Sequence, residues 1–277
     1  MPAMGTVVSI EAAAPEAVVT RAFEWFREVE AVCSRFDAAS ELRQLPVGTP
    51  TSASPILFEA VRFALQVAQE TDGAFDPTVG SRMAARGYNR HYVTGATSDS
   101  PGADDASFRD VLLDVDRHTI LLRRPLTLDL GAVAKGLAVD AAARELMPFR
   151  DFCIDAGGDL YFGGRNPTGM PWRVGIAHPR HRNEIVDRFQ VSDCAVCTSG
   201  DYARGAHILD PRNANAPLQV ASATVIAPNA MLADALATAA FVLGPEHGIA
   251  LLERMGVQGL IITPTLAQFR TGHFARA

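Results

Sequence analysis

Residues 222–264 read SATVIAPNAMLADALATAAFVLGPEHGIALLERMGVQGLIITP, and this stretch decides the fold class. Its β-branched start, SATVIA, predicts a strand. Asn229 is a helix cap, and the alanine- and leucine-rich residues after it predict a helix that ends at Gly244. A further helix is expected from Pro245 to Met255, ended by Gly256, and GLIITP predicts a closing strand. Strands and helices are therefore combined within one short length of chain.

The same two patterns recur outside this stretch. Helices are expected from about Glu16 to Phe36, from the Ser54-Pro55 cap to Gly73, and from about Lys135 to Met147. Strand patterns occur in MGTVVSIEA, VLLDVDRHTILLRR (a hairpin), PLTLDL, DFCIDAGGDLYFGG and WRVGIAHP, whereas TSGDYARGAHILDPRNANAP is rich in turn formers. Because strands and helices alternate irregularly, with several strands adjacent in sequence, we predict an α/β fold of the α+β kind with a mixed sheet.

Chain length indicates a single domain. The 277 residues are within the range that one mixed α/β domain fills, so we predict one domain over residues 1–277. The segment GYNRHYVTGATSDSPGADD, at about residues 87–105, has many turn formers and no apolar period. This composition predicts a long surface loop.

The charge balance limits the partners of the chain. Lys and Arg total 25 against 31 Asp and Glu, a formal net charge of −6 at pH 7. Such a chain has no general basic field for nucleic acid or for an anionic membrane surface. No stretch approaches the roughly 20 apolar residues of a membrane helix, so we expect no nucleic-acid partner and no membrane insertion. The chain as given is expected to be cytoplasmic, with a removed export leader left open.

The four cysteines include one C-x-x-C pair, Cys194 and Cys197. A redox pair and half of a zinc site are open to such a motif, but no second pair lies nearby to complete four ligands. We therefore expect unpaired thiols near a strand.

Asp234 and Thr238 lie four residues apart on the helix predicted after Asn229. Residues at this spacing share one helix face, so their oxygens are expected close together. A carboxylate and a hydroxyl suit a hard cation such as Mg²⁺ or Ca²⁺. The alternative is that Asp234 complements the helix dipole in an early turn.

The segment LTLDLGAVAKG leads from a predicted strand through small residues into a helix. Free N–H groups at such a helix start can hold a phosphate, and Lys135 adds a mobile positive charge. The segment has neither the Walker A spacing nor G-x-G-x-x-G, so a surface role for Lys135 is the alternative. His207 has two open roles as well, as a general base or as a hydrogen-bonded structural residue.

Eight short motifs, spread over almost the whole chain, occur in a fixed order. They are MGT (4–6), SRFDAASEL (34–42), GAFDPTVG (73–80), DLGAVAKGLAVD (129–140), IDAGGDL (154–160), TSGDYAR (198–204), HILDP (207–211) and ADALATAAFVLG (233–244). Together they resemble the ApbE family of FAD:protein FMN transferases, in which corresponding segments occur in the same order. A single motif of this kind is a weak signal, but chance does not explain eight in register.

The resemblance implies a T-fold-like α/β core, as a single domain with an FAD cleft. It implies Mg²⁺-dependent transfer of FMN from FAD to a Thr or Ser hydroxyl of an acceptor protein, with release of AMP, and Ca²⁺ or Mn²⁺ are alternative cations. The implied metal ligands are the side chains of Asp234 and Thr238 and the backbone carbonyl of Ala132. The implied catalytic residues are Asp234 and His207. His207 would orient or deprotonate the acceptor hydroxyl. The implied FAD contacts are Met4, Ala74, Phe75, Asp76, Asp129, Lys135 and Ile208.

Two other activities remain open, an Mg²⁺-dependent FAD pyrophosphatase that yields FMN and AMP, and a non-catalytic FAD-binding protein. The resemblance also implies that the acceptor carries an S/T-G-A-T/S-like motif. The predicted surface loop contains a similar run, Val93-Thr94-Gly95-Ala96-Thr97-Ser98. Self-modification at Thr97 is therefore a hypothesis, with ordinary loop composition as the alternative.

Overall fold

The computed structural model describes residues 1–90, 95–100, 102–103, 105–181, 183–202, 208–213 and 215–274. Its helices are α1 (Glu16–Cys33), α2 (Pro55–Glu70), α3 (Gly80–Ala85), α4 (Ala134–Leu146), α5 (Ala230–Leu243) and α6 (Pro245–Arg254), and short 3-10 turns lie at Leu42–Gln44, Phe108–Asp110 and Met147–Phe149. Its strands are β1 (Pro2–Ala3), β2 (Thr6–Ala12), β3 (Thr51–Ser52), β4 (Val111–Asp114), β5 (Thr119–Leu122), β6 (Phe152–Ala156), β7 (Asp159–Gly163), β8 (Trp172–Ala177), β9 (Ile185–Val191), β10 (Cys194–Gly200), β11 (Ser222–Ala227), β12 (Gln258–Ile262) and β13 (Gln268–Arg270).

Eight strands form the central sheet, in the order β1-β2-β6-β7-β10-β11-β12-β13. A smaller sheet has the order β3-β5-β4, and β8 and β9 form a two-stranded ribbon. The α+β class predicted from the sequence is confirmed. Within the described residues, every pair of named strands is antiparallel, so the central sheet is antiparallel and not mixed as predicted.

The central sheet has two buried faces, because successive side chains of a strand point in opposite directions. On β10, Ala195 and Cys197 point toward the helices and belong to the main core. Val196 points to the opposite face and belongs to a second apolar cluster. Helices α4 and α5 cover the first face, which we call the helix face. The β8–β9 ribbon covers the second, the ribbon face, where the rings of Phe162 and Trp172 are 5.7 Å apart.

The junction between α4 and α5 fixes the position of α5. Asn229 caps α5, as predicted, because its Oδ1 accepts a backbone N–H of the first turn at 2.9 Å. Asp140 of α4 accepts the N–H groups of Ala230 and Met231 at 2.6 and 2.9 Å. Gly136 permits this close approach, since a Cβ there would lie 2.5 Å from the Cα of Met231. The two helices are therefore in direct backbone contact where α5 begins.

The segment PLTLDL, residues 125–130, is not a strand, so that prediction is wrong. Its backbone bonds to loops instead. Gly80 N–H donates to Thr127 O at 3.1 Å, and Asp129 N–H donates to Pro77 O at 2.7 Å. The alternating apolar residues of the segment are nevertheless buried, at Leu126, Leu128 and Leu130. The alternation therefore reports apolar residues that are buried and does not establish a strand partner.

The segment DFCIDAGGDLYFGG, predicted as one strand, is the hairpin of β6 and β7. Gly157 and Gly158 form its turn with φ angles of +67° and +95°, a region that favours glycine. Asp159 opens β7 directly after this turn. The hairpin thus places a carboxylate at one end of the central sheet.

Other differences concern the limits and number of elements. Helix α1 ends at Cys33 and not at Phe36, and β10 runs through Thr198–Gly200, which the sequence assigns to turns. Helix α3 and five strands have no sequence-based counterpart, namely β1, β3, β9, β10 and β13. The described parts of the loop at about 87–105 contain an isolated β-bridge between Arg90 and Thr97 and no named strand. The single domain over 1–277 stays a prediction.

A membrane-crossing helix was not expected. Among the helices within the described ranges, none has the length and apolar character that crossing a bilayer requires.

Candidate functional site

Asp234 and Thr238 lie one turn apart on α5, on the side that faces β10. Thr238 Oγ1 is 3.0 Å from Ser199 Oγ of β10. Asp234 is buried, and burial together with the nearby Asp234 charge raises the pKa of Cys197, which stands two residues before Ser199 on the same face of β10. The two α5 side chains are therefore both directed at the helix face, as expected for residues four apart.

Lys135 stands at the second position of α4 and points to the same place. Its Nζ contacts Asp159 Oδ2 of β7 and lies 3.5 Å from Asp234 Oδ2. The Lys135 side chain is only 16% exposed. The structure therefore places this lysine between two carboxylates and not on the open surface.

Strand register explains why Asp159 reaches this cluster. Asp159 of β7 pairs with Cys197 of β10, so both side chains lie on the helix face beside Ser199. Sequence patterns place IDAGGDL within one continuous strand and TSGDYAR in turns, so neither Asp159 nor Ser199 was among the predicted site residues. A period-two reading of both segments as strands would have placed the two residues on one face.

Asp129 is held at the start of the turn that leads into α4. Its Oδ2 is 2.8 Å from Nε of the buried Arg35, and its Oδ1 accepts the N–H of Gly131 at 2.9 Å. Ala132 follows in that turn, part-buried against the main core. The Arg35–Asp129 pair therefore fixes the turn that carries Ala132 and introduces Lys135.

The Ala74-Phe75-Asp76 run is buried in a separate turn. Asp76 Oδ1 accepts the N–H and hydroxyl of Thr78 at 2.8 and 2.7 Å, and its Oδ2 accepts the N–H of Phe108 at 3.0 Å. The hydrogen bonds of the Asp76 carboxylate therefore stabilise the loop in which it lies.

Two of the implied FAD contacts are apolar residues of the main core. Met4 lies in the turn between β1 and β2 with a φ of +51°, and it packs against this core. Ile208 is a buried member of it. Each offers apolar surface and no charge.

His207 lies outside the described residues, as do Ala203–Ala206, and so do Val93 and Thr94 of the acceptor-like run.

An ion pair that involves Asp201, directly after β10, was not predicted from the sequence. Arg180 forms a bidentate ion pair with Asp201, with N···O distances of 2.6 and 2.8 Å. This pair joins the loop after β8 to the end of β10, and no motif in the sequence signals it.

The four cysteines are free thiols, as predicted. Cys194 and Cys197 are three residues apart on β10, so they point to opposite faces and cannot form a disulfide. Burial raises the pKa of Cys194 to about 11, and burial with the nearby Asp234 charge raises that of Cys197 well above its usual value. Both thiols are therefore held in the unreactive protonated form.

The oxygen donors of the cluster suit a hard cation. The described residues contain no group of three or more His, Cys, Asp or Glu side chains of metal-binding type. One carboxylate, on Asp234, stands with the hydroxyls of Thr238 and Ser199, and hard cations such as Mg²⁺ accept such neutral oxygens alongside carboxylate, water and phosphate. The chemistry of the donor set therefore fits a cation that also binds a substrate phosphate.

Comparisons with known proteins cover nearly the whole chain. The profile of the ApbE family matches residues 4–261. An FAD:protein FMN transferase of Vibrio cholerae is 29% identical over 95% of this chain and 86% of its own length. The crystal structure of the ApbE protein of Thermotoga maritima superposes with a TM-score of 0.86 at 27% identity, covering 100% of this chain and 98% of that one. The flavin transferase ApbE of Vibrio cholerae gives a TM-score of 0.85 at 28% identity, covering 99% and 96%.

Proposed function

This chain belongs to the ApbE family, and from that premise we propose that it is an FAD:protein FMN transferase. It moves the FMN part of FAD to a hydroxyl of an acceptor protein and releases AMP. The observation that carries this proposal is the cluster of Asp234, Thr238, Ser199 and Lys135 on one buried face. That cluster combines oxygen ligands for a cation with a positive charge for a diphosphate.

The reaction exchanges the phosphoanhydride bond of FAD for a phosphoester bond to the acceptor. The acceptor hydroxyl oxygen attacks the phosphorus on the FMN side of the diphosphate, the bond to the bridging oxygen breaks, and AMP leaves with that oxygen. Negative charge therefore grows on the leaving phosphate, where a nearby positive charge lowers the barrier. Lys135 is proposed to supply that charge, because its ammonium is held within the cluster.

The cation is proposed to be Mg²⁺, held by the side chains of Asp234 and Thr238 and the backbone carbonyl of Ala132. When bound, it would neutralise charge on the phosphate oxygens and orient them. Ser199 supports the Thr238 ligand. A hydroxyl that offers its lone pair to a cation turns its proton away, and Ser199 Oγ, 3.0 Å away, is placed to accept that proton.

Remaining roles are assigned by position in the family's motifs. Met4, Ala74, Phe75, Asp76, Asp129, Lys135 and Ile208 are proposed to contact FAD. For Asp76 the proposed contribution is the shape of its loop, because its carboxylate is already bonded to Thr78 and Phe108. His207 is proposed as the base that orients or deprotonates the acceptor hydroxyl. The acceptor is proposed to carry an S/T-G-A-T/S-like motif, and Thr97 of this chain stays a hypothetical self-acceptor.

One assay separates the three candidate activities. The purified chain is incubated with FAD, Mg²⁺ and an acceptor domain that carries the motif, and the products are analysed by mass spectrometry. FMN covalently bound to the acceptor is expected. Free FMN with an unmodified acceptor would identify a pyrophosphatase, and intact FAD would identify a binding protein. The same spectra test Thr97, because an unmodified chain removes the self-modification hypothesis.

A further inference from the structure

We propose that Arg35 is a positioning residue for FAD, which holds the carboxylate of Asp129 in the orientation that FAD binding requires. The inference rests on the proposed function, since Asp129 is one of its FAD contacts. Arg35 itself is not one of the implied FAD contacts or metal ligands.

The turn after α1 fixes the backbone of Arg35. Helix α1 ends at Cys33. In the turn that follows, Ser34 Oγ accepts the N–H of Phe36 at 3.3 Å, and the Ser40 hydroxyl donates to Ser34 O at 2.5 Å. The Arg35 side chain leaves this turn and is only 5% exposed. A side chain that the fold already orders loses little further conformational freedom when a partner binds to it.

The guanidinium of Arg35 is held by three different groups. Its Nε lies 2.8 Å from Asp129 Oδ2, and its Nη2 donates to Tyr88 O at 2.5 Å. The ring of Phe36 lies against it, with the ring centroid 4.1 Å from the guanidinium carbon. Because a guanidinium is planar and has several donors in fixed directions, these contacts define its orientation better than those of a flexible amine would.

The buried charge of Arg35 makes Asp129 its counterion. The third nitrogen, Nη1, is buried and has no hydrogen-bond partner among the residues that the structure describes. A buried cation needs a compensating charge, and the Asp129 carboxylate is in ion-pair contact with it. Little water screens this attraction, so it directs the Asp129 carboxylate toward Arg35.

Asp129 keeps the capacity to bind a ligand after these contacts. Its Oδ1 accepts the N–H of Gly131 at 2.9 Å, its Oδ2 faces Arg35, and its side chain is 19% exposed. Each carboxylate oxygen can accept two hydrogen bonds, so Asp129 can also accept one from an N–H or O–H group of FAD. Without Arg35 the carboxylate would rotate more freely, and FAD binding would have to order it again.

The test measures the Kd for FAD by equilibrium dialysis in Mg²⁺ buffer without an acceptor protein, and intact FAD is quantified by chromatography. Arg35→Met keeps an unbranched stem and removes the charge. It is expected to raise the Kd about tenfold, the effect of weakening one hydrogen bond to a charged group. Asp129→Asn is expected to raise the Kd by a similar factor.

The double variant separates a positioning role from a structural one. If Arg35 acts through the Asp129 carboxylate, Arg35→Met should add less than about twofold to the effect of Asp129→Asn. If Arg35 only stabilises the fold, the two effects should multiply. Circular dichroism establishes that each variant is folded.

Arg43→Met is the matched control. Arg43 belongs to the same segment, and its Nη2 also donates to a backbone carbonyl of the long loop, Asp99 O at 2.5 Å. Among the described residues, Asp129 is paired with Arg35 and not with Arg43. Arg43→Met should therefore bind FAD within about twofold of the wild type.

Three results would overturn the inference. One is an unchanged Kd for Arg35→Met. Another is an effect of Arg35→Met that is as large in the Asp129→Asn background as in the wild type, and the third is an equal loss of affinity in Arg43→Met. No FAD binding by the wild type would remove the proposed function itself, so the two failures are distinguishable. If Arg35→Met does not fold, Arg35→Lys replaces it in the same cycle, with a rise of about threefold in the Kd expected and no rise contradicting the inference.

Discussion

The helix face and the ribbon face are formed by alternate residues of the same strands, yet they contain opposite chemistry. On the helix face, Asp159 of β7 and Ser199 of β10 stand among charged and hydroxyl groups. On the ribbon face, Phe162 of β7 and Val196 of β10 belong to an apolar cluster sealed by β8 and β9. The difference shows that, within one strand, side chains of one direction can belong to a polar cluster and those of the other direction to an apolar cluster. Changes in the polar cluster on the helix face should affect activity, and changes in the apolar cluster on the ribbon face should affect unfolding.

The largest effect is expected for Asp234→Ala on the helix face. Loss of the charged cation ligand should lower the rate of FMN transfer by about 1000-fold, since a bound metal contributes several kcal/mol to charge stabilisation. Thermal unfolding should change little. The measurement is the initial rate of covalent flavin formation in metal-replete buffer. A rate equal to that of the wild type would refute the cation site.

Phe189→Ala on the ribbon face should have the complementary result. Phe189 is fully buried in the second apolar cluster, so its truncation should lower the free energy of unfolding by about 3–5 kcal/mol. Urea denaturation measures this change, and activity per folded molecule should be retained. Ile185→Ala on the same strand is the control, because its side chain is 45% exposed and should change stability by about 0.5 kcal/mol or less. A large loss of activity in folded Phe189→Ala would break the separation of the two faces.

The buried carboxyl of Asp140 on α4 should make the free energy of unfolding depend on pH. Burial raises the pKa of this carboxyl from 3.8 to about 6, against the opposing effect of its bonds to the N–H groups of Ala230 and Met231. The folded state therefore holds the proton more tightly than the unfolded chain. Its contribution to stability is fully present below about pH 4 and is lost as the pH rises through about 6, by at most about 3 kcal/mol.

Asp140→Asn removes this titration. Urea unfolding at several pH values should show the wild type losing stability relative to Asp140→Asn between about pH 4 and 6. A constant difference between the two proteins over that range would contradict the assignment.

The smallest effect is expected for Ser199→Ala. Without the hydroxyl that orients Thr238, the Mg²⁺ concentration for half-maximal activity should rise about tenfold, as is usual for a residue that supports a metal ligand. Thr198→Ala is a close control, because Thr198 is the neighbouring residue and its hydroxyl bonds Thr224 at 2.9 Å on the other face. Equal shifts in both variants would show that the strand and not the Ser199 hydroxyl is responsible.

Local signals predicted the parts of the fold that depend on local interactions. Helix α5 was predicted because its Asn229 cap, its composition and the glycine after it are all adjacent in sequence. PLTLDL was wrongly predicted as a strand, because its alternation shows which residues are buried but not which backbone they pair with. Strand β10 was not predicted, and its end, Thr198–Gly200, has the composition of a turn.

The residues of the proposed site also divide into those predicted by local spacing and those that depend on long-range contacts. The shared face of Asp234 and Thr238 follows from helix spacing within α5, and the resemblance supplied their proposed role. The contact between Lys135 and Asp159 depends on the β7–β10 register and on the packing of α4 over it. Both are long-range features, so neither could be predicted from the spacing of residues along the chain.

The distance between Lys135 Nζ and Asp234 Oδ2 depends on Gly136. Lys135 enters the charged cluster, whereas its neighbour Gly136 rests against the backbone of Met231, three residues before Asp234. A methyl group at 136 would act as a wedge between the two helices and would open the gap between ammonium and carboxylate. The spacing within the proposed active site therefore depends on the absence of a side chain at position 136, which itself lies against the backbone of α5.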